Sequence, residues 1–266
     1  MTTPSLPASR RPSKPKRSWL LPAGLLTALA LTLWSAWGIG FEPLSLIQDA
    51  GRGLRIIADV LTPNFGFFPQ TVEPFIQTFQ MAVIASIVGC AIGLPLAFFA
   101  SRVTAPNRWV LWIDRGVLNV VRALPDLLYA MIFVAALSIG PTAGILALIL
   151  FNIGVLAKLL SETVDAIDRG PMEAAQAAGA SHTQTVRSSV LPQVMPNYVA
   201  FALYIFELNI RASTVIGIVG AGGIGMLLNT QIQFGLWSNV GLIIFEIFVF
   251  VLLIELASTA IRRRLV

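Results

Sequence analysis

The chain has 266 residues, of which 56% are hydrophobic and only 12% are charged, and its mean hydropathy is +0.80. Soluble globular domains carry about twice this charged fraction, so the composition excludes a soluble globule and indicates an integral membrane protein. The net charge of +5 could suggest a nucleic-acid partner, but the basic residues lie in the tails and short loops, as the positive-inside rule predicts for a membrane protein. We therefore expect no nucleic-acid partner.

The N-terminal part is predicted to contain three segments. Residues 1–17 hold several basic residues among Pro and Ser, which is typical of a disordered cytoplasmic tail. Residues 18–41 carry no charge and are long enough to span a bilayer. They predict a first transmembrane helix, with a cleaved signal peptide as the alternative. Residues 42–73 mix charged and aromatic residues, which predicts an amphipathic segment at the outer interface and then a loop.

Residues 74–266 are predicted to form the core of an all-α, polytopic membrane protein with about six spans. Further apolar runs predict spans at 74–101, 124–139, 142–160, 198–219 and 236–260. Residues 109–122 are too polar for a full span and predict an interfacial helix. Residues 220–235 predict a glycine-rich outer turn that can hold a short re-entrant helix. Six spans place both termini in the cytoplasm.

Residues 170–192 are a short amphiphilic insert between two apolar runs. Pro171 suits the first turn of a helix, Glu173 favours the positive end of the helix dipole, and Gly179 is a natural stop. Ser181 and Gln184 have capping-box spacing, which predicts a second helix that ends at Pro192. The first helix also carries small residues that let another protein approach its backbone, namely Ala174, Ala175, Ala177 and Ala178.

The motif Glu173-Ala174-Ala175, followed by Gly179 and by Leu191-Pro192, resembles the EAA loop of ABC importer permeases. Ser189 stands where that pattern has Ile. The resemblance covers residues 70–260 and implies the type I ABC importer permease fold. It further implies that the EAA loop, residues 170–192, docks on a cytoplasmic ABC ATPase. The expected assembly is a homodimer in the bacterial inner membrane with two ATPase copies and an extracytoplasmic substrate-binding protein.

Within that family, residues 211–215 (RASTV), 220–225 (GAGGIG) and 122–126 (RALPD) are similar to phosphonate-type (PhnE-like) permeases. The resemblance implies a cargo of phosphonate or a related oxyanion, phosphate or phosphite. Three alternatives stay open. They are an importer of another small solute such as an amino acid or sulfonate, an ion-coupled secondary transporter with Glu207 or Glu246 as its proton site, and a structural subunit of a membrane assembly.

Charged residues within predicted spans are candidates for the substrate path, because each costs on the order of 3 kcal/mol at the bilayer centre. Glu207 and Arg211 are spaced to form an ion pair on one helix face, and the competing interpretation is that Arg211 attracts the anionic cargo. Glu246 is expected either to pair across helices, for example with Arg211, or to face a cavity. Glu255 is expected to snorkel near Arg262.

Four more residues complete the predicted path. Ser213 and Thr214 follow Arg211 and could add hydroxyl donors, and Arg122 with Asp126 could guard the inner mouth. No catalytic residue, metal site or cofactor is expected, because His182 is the only histidine, Cys90 the only cysteine, and no P-loop motif is present. ATP must therefore be hydrolysed by a partner subunit. The GxGxxG match within residues 220–225 lies between spans, which excludes a dinucleotide-binding unit.

Overall fold

The computed structural model describes residues 19–42, 44 and 48–263. The predicted tail at 1–17 lies outside the described residues. The chain divides into two compact units, Met1–Arg55 and Ile56–Val266. In the first unit, α1 (Leu20–Gly38) lies within the predicted first span and is apolar around its whole circumference, which suits a helix surrounded by lipid.

All regular elements among the described residues are helical. An amphipathic helix, α2 (Ala50–Val60), lies within the predicted 42–73 segment, and a 3-10 turn follows at Phe65–Phe67. The remaining helices are α3 (Phe68–Ala100), α4 (Arg108–Ala123), α5 (Asp126–Leu137), α6 (Pro141–Asp165), α7 (Gly170–Ala177), α8 (His182–Thr185), α9 (Leu191–Ile218), α10 (Gly223–Gln233) and α11 (Trp237–Arg262). A π-helical turn, Val186–Val190, joins α8 to α9.

Five helical stretches of the described chain are long and apolar enough to cross a membrane, and α4 with α5 makes a sixth if that bent pair counts as one span. The prediction of an all-α polytopic protein with about six spans is thereby confirmed. Residues 124–139 do not form a span alone. At 12 residues, α5 reaches about 18 Å, less than the roughly 30 Å of the hydrocarbon core.

Two helices begin earlier in the chain than the predicted spans that they contain. α3 begins at Phe68 rather than at residue 74, because Pro69 lies in its first turn, where no N–H donor is needed, and the helix continues through Pro74. α9 begins at Leu191 rather than at residue 198, and it likewise carries a proline inside, Pro196. In both cases proline is part of the helix instead of marking its edge.

The core is built on α3 packed against α6. A Cβ added at Gly89 would lie 2.5 Å from the Cβ of Asn152, and one at Gly93 would lie 3.0 Å from Cδ2 of Leu156. The two helices approach closely because both positions lack a side chain. Asn152 is fully buried, and its Nδ2 donates to the carbonyl of Ala85 at 2.9 Å, which adds a polar tie between the helices.

The glycine-rich turn positions α10, the short helix that the sequence allowed there. The N–H of Gly223 donates to Oε1 of Gln77 at 2.7 Å, and the N–H of Ile224 donates to Oγ1 of Thr78 at 2.8 Å. A dinucleotide-binding loop keeps such N–H groups for a phosphate. Here, side chains of α3 accept them, and Gly225 brings α10 against the backbone of Thr214 in α9.

Candidate functional site

The first half of the EAA loop folds as α7, where Pro171 and Glu173 both lie in the first turn. The missing N–H of Pro171 costs nothing there, and the Glu173 carboxylate lies at the positive end of the dipole. The helix ends at Ala177, and Gly179 has a φ of +85°, a left-handed conformation that favours glycine. The predicted helix and glycine hinge are both present.

The second half begins with the predicted capping box. The N–H of Gln184 donates to Oγ of Ser181, and the N–H of Ser181 donates to Oε1 of Gln184 at 2.8 Å. The prediction that this helix ends at Pro192 is wrong, because the chain passes through the π-helical turn into α9. Pro192 lies in the first turn of α9, where its lack of an N–H is tolerated.

The EAA loop has one buried anchor and one exposed face. Met172 is buried in a cluster that contains Leu160, Val164 and Val190. The opposite side of α7 exposes Glu173, Ala174, Ala177 and Ala178, whereas Ala175 is half-buried. A surface of small side chains next to one carboxylate is thus held in place by a hydrophobic contact with α6 and the π-helical turn.

Three hydrogen bonds that the sequence did not reveal connect the segments at and around the two ends of the loop. The hydroxyl of Ser189, the residue that departs from the EAA pattern, donates to the carbonyl of Pro171 at 3.1 Å. Nε2 of Gln193 donates to the carbonyls of Asp168, at 3.2 Å, and Ser189, at 2.7 Å. Ser189 therefore replaces a hydrophobic contact with a hydrogen bond from a buried position.

A second contact group, which we call the Asp165 cluster, consists of Asp165, Ser101, Arg102 and Arg115. Oδ1 of Asp165 accepts hydrogen bonds from the Ser101 hydroxyl and the Arg102 backbone N–H, both at 2.7 Å. Oδ2 accepts from Nη2 of Arg115 at 3.0 Å. The cluster ties the ends of α3 and α6 to α4, just before the EAA loop begins.

His182 adds a direct contact between the EAA loop and the turn after α3. Its Nε2 lies 3.0 Å from the carbonyl oxygen of Thr104, whose own hydroxyl donates to the carbonyl of Phe98 at 2.7 Å. The loop therefore lies on the same side of the protein as residues 101–107.

The Glu207 cluster consists of Glu207, Arg211 and Arg262. Glu207 is buried, and its Oε1 accepts a hydrogen bond from Arg211, as the spacing predicts. Its Oε2 accepts from Nη2 of Arg262 at 3.3 Å, a partner that the sequence did not reveal. The side chain of Arg262 therefore pairs with Glu207 rather than with Glu255. The side chain of Arg211 is still 48% exposed.

Ser213 and Thr214 do not extend this cluster. Ser213 is buried, and its hydroxyl donates to the carbonyl of Ile210 at 2.9 Å, while the hydroxyl of Thr214 donates to the same carbonyl at 3.3 Å. Both hydroxyl protons are used within α9, as is usual for Ser and Thr inside helices. A cargo role for either residue would require a side-chain rotation.

Arg122 and Asp126 lie at the break between α4 and α5, where they line a cavity of about 280 Å³ with Phe151 and Val155 of α6. The Arg122 stem packs on Gly154, where an added Cβ would lie 2.9 Å from its Cγ. Among the described residues, no acidic group pairs with the Arg122 guanidinium. Asp126 accepts the N–H of Leu127 at 2.9 Å, at the start of α5.

Glu246 lies between α11 and α3 and does not pair with Arg211. Its Oε1 accepts a hydrogen bond from the Thr71 hydroxyl at 2.9 Å, and its buried Oε2 has no partner in the described part of the chain. It faces an apolar groove of about 600 Å³ whose walls include Phe75 and Phe250. Glu246 therefore both contacts α3 through Thr71 and borders this groove, and its part in a substrate path stays a prediction.

Residues 93–266 match the family described as binding-protein-dependent transport system inner membrane component. The phosphate-import permease protein PhnE of Mycolicibacterium smegmatis is 41% identical over 85% of this chain, which spans 42% of that relative's length. The phosphite transport system permease protein PtxC of Stutzerimonas stutzeri is 34% identical over 88% of this chain and 85% of that protein.

A solved structure of the MetNI methionine ABC transporter in an inward-facing conformation shares the fold. Its TM-score is 0.68 at 24% identity, and the match covers 76% of this chain and 99% of that one. The helix order and the sequence matches agree. The chain belongs to the family of binding-protein-dependent transport system inner membrane components, and its fold is that of an ABC importer permease.

Proposed function

We propose that the chain is the membrane-spanning subunit of an ATP-driven importer for a phosphorus oxyanion: phosphonate, phosphate or phosphite. The observation that carries this proposal is the 41% and 34% identity to relatives named for phosphate import and phosphite transport. Membership of the family removes the ion-coupled secondary transporter and the structural subunit as alternatives. Another small solute, an amino acid or a sulfonate, stays open as the cargo.

The EAA loop supplies the coupling in this proposal. Two copies of the chain form the permease, and each presents the exposed alanine face of α7 to one of two cytoplasmic ATPase subunits. ATP binding closes the ATPase pair and moves the two loops together, and this rocks the spans so that the cavity opens toward an extracytoplasmic binding protein. Hydrolysis of the ATP returns the transporter to its starting conformation. The permease itself makes no covalent chemistry, so it is a transport subunit rather than an enzyme.

Arg211 supplies the attraction for the anion. At an effective dielectric constant of about 20, one pair of charges at 4 Å contributes roughly 4 kcal/mol before desolvation is subtracted. Because Arg211 is half-exposed and shares Glu207 with Arg262, its charge is only partly neutralised. A weak and transient site of this kind suits a permease, which must release its cargo.

The cargo is tested by uptake into liposomes that contain the permease, its ATPase and its binding protein. We expect ATP-dependent uptake of radiolabelled phosphate or phosphite, competed by methylphosphonate and unaffected by glutamine or taurine. Omission of the binding protein is the control for leakage. ATP-dependent uptake of glutamine or taurine in place of the phosphorus oxyanions would contradict the proposed cargo and leave the family assignment intact.

The Arg211→Gln variant should lose at least about tenfold in uptake, since a loss of about 1.4 kcal/mol in anion attraction has that effect. Glu207 keeps Arg262 as a partner in this variant, so the fold is expected to persist. The matched control is Arg263→Gln, which removes one positive charge from an exposed arginine that does not contact Glu207, and it should retain uptake. Radiolabelled uptake and co-purification with the ATPase are the measurements.

The double variant Arg211→Gln, Glu207→Gln separates the two roles of Arg211. If the positive charge serves the cargo, the double variant stays inactive although it folds and assembles with the ATPase. Restored uptake would mean that Arg211 only balances the buried carboxylate of Glu207.

Orientation follows from labelling introduced cysteines in a background in which Cys90 is replaced by alanine. A cysteine at Ser181 in the EAA loop should react only from the cytoplasm, and one at the exposed Thr62 only from outside. A membrane-impermeant maleimide added to intact cells and to inverted vesicles makes the distinction. Reaction of both positions from one side would show that the proposed number of spans is wrong.

A further inference from the structure

The helix α4 carries an apolar face that the described part of the chain leaves uncovered. Its exposed residues on that face are Trp109, Trp112, Ile113, Val117 and Val120. The helix is strongly amphipathic, and it is bent by 85° against α5, the apolar helix that follows. If α5 runs into the bilayer, α4 lies along its surface. Tryptophan and basic residues on such a helix are typical of the membrane interface.

Three arginines, Arg102, Arg108 and Arg115, lie close together near the start of α4. They line a cavity of about 270 Å³, whose other walls are Leu111 and Trp112. Arg115 is fixed there, because its Nε donates to the carbonyl of Ala100 at 2.7 Å and its Nη2 donates to Asp165 at 3.0 Å. The guanidinium groups of Arg102 and Arg108 have no acidic partner among the described residues. Three cations and a single carboxylate leave the cavity positively charged.

We propose that this cavity binds the phosphate group of an anionic phospholipid such as phosphatidylglycerol. The guanidinium groups of Arg102 and Arg108 hold the phosphate, and the fixed Arg115 adds a third donor. The acyl chains lie along the tryptophan-bearing face of α4. The His182–Thr104 contact places the site on the same side of the membrane as the EAA loop, in the leaflet where that loop emerges.

The observations favour a lipid over the other two occupants. Free phosphate would satisfy the arginines but leave the apolar face of α4 in water. A second copy meeting this face around a two-fold axis would present the same surface, which carries the three arginines and so offers no net negative charge to neutralise them. An anionic lipid alone offers a negative charge next to a long apolar surface, and this matches both features of α4.

The test uses native mass spectrometry in a non-ionic detergent to measure how much phosphatidylglycerol the purified full-length permease retains. The test variant is Arg102→Gln with Arg108→Gln, which spares Arg115 and the Arg102 backbone N–H, so the Asp165 cluster stays intact. We expect about 25-fold weaker retention, since each basic residue near an anionic lipid surface contributes on the order of fivefold. The matched control, Arg187→Gln with Arg263→Gln, changes two exposed arginines elsewhere and should bind like the wild type.

Competition and crosslinking distinguish the other occupants. We expect phosphatidylcholine and millimolar inorganic phosphate to leave phosphatidylglycerol bound. Equal retention of phosphatidylglycerol by the wild type and the Arg102/Arg108 variant would refute the proposed lipid site. Displacement of the lipid by inorganic phosphate would show that the cavity binds the free ion instead. If the Trp112→Cys variant forms a disulfide between two copies in membranes, this face of α4 is a protein interface and the lipid assignment is refuted. None of these outcomes depends on the cargo, so the site can fail while the proposed function stands.

Discussion

A Gly225→Ala permease is expected to fold poorly or not at all. A Cβ at this position would lie 1.9 Å from the carbonyl oxygen of Thr214 and 3.0 Å from Cα of Gly217. The obstructing atoms belong to the backbone of α9, so no side chain can rotate away, and α10 must separate from α9. Overpacking costs about 1–3 kcal/mol where side chains can adjust, and we expect at least the upper value here.

The measurement is thermal unfolding of the detergent-purified permease, followed by its retention as a single peak in size-exclusion chromatography. Gly116→Ala in α4 is the matched control, because an added Cβ there has no neighbour within 4 Å. Alanine also has the higher helix propensity, so this control should be neutral or slightly stabilising. An unchanged melting temperature for Gly225→Ala would show that α9 and α10 are not in contact as described.

Charge reversal at Glu173 should abolish ATP-driven uptake without disturbing the fold. The Glu173 side chain is exposed and forms no hydrogen bond or ion pair with another described residue, so lysine at this position breaks no contact within the chain. It instead places a cation on the alanine face proposed to dock on the ATPase. A misplaced charge at an interface costs several kcal/mol, so we expect at least a roughly thirtyfold loss of ATPase affinity.

The matched control is Glu162→Lys, which makes the same change on α6. Glu162 pairs only with the exposed Lys158 at 2.7 Å, and such a surface pair contributes less than about 1 kcal/mol. Uptake and binding-protein-stimulated ATP hydrolysis are measured for both variants. Gly179→Trp is a second variant, because tryptophan at a φ of +85° strains the hinge and adds bulk to the docking face. Normal uptake by well-expressed Glu173→Lys and Gly179→Trp permeases would refute the docking role.

The parts of the EAA loop that could be predicted are those set by neighbouring residues. Pro171 at a helix start, Gly179 at a hinge and the Ser181–Gln184 capping box each act within one helical turn, so their spacing in the sequence is enough. Pro192 shows the limit of local rules. A proline can end the helix that precedes it, or it can lie in the first turn of the helix that follows. At Pro192 the second effect applies, because the π-helical turn before Leu191 leads directly into α9.

Contacts between distant segments could not be predicted. Arg115 and Asp165 are 50 residues apart, and Arg262 and Glu207 are 55 residues apart. Arg115, Asp165 and Arg262 are each one of several charged residues near a helix end, and the sequence alone does not say which acidic and basic groups meet. The Glu207–Arg211 pair could be predicted because both residues lie within one helix. The contact of Arg262 with Glu207 could not, because it depends on how α11 packs against α9.

The length of α3 has a mechanical consequence. Its 33 residues form a rod of about 50 Å, well over the roughly 30 Å of the hydrocarbon core. Ser101 in the Asp165 cluster follows its C-terminal end, and Gln77 and Thr78, about 15 Å from its N-terminal end, hold the start of α10. A pivot of about 5° around the midpoint of such a rod moves the Ser101 end by about 2 Å and moves Thr78, about 9 Å from the midpoint, by roughly 0.8 Å in the opposite direction. A tilt of α3 beside the EAA loop would therefore also displace the start of α10.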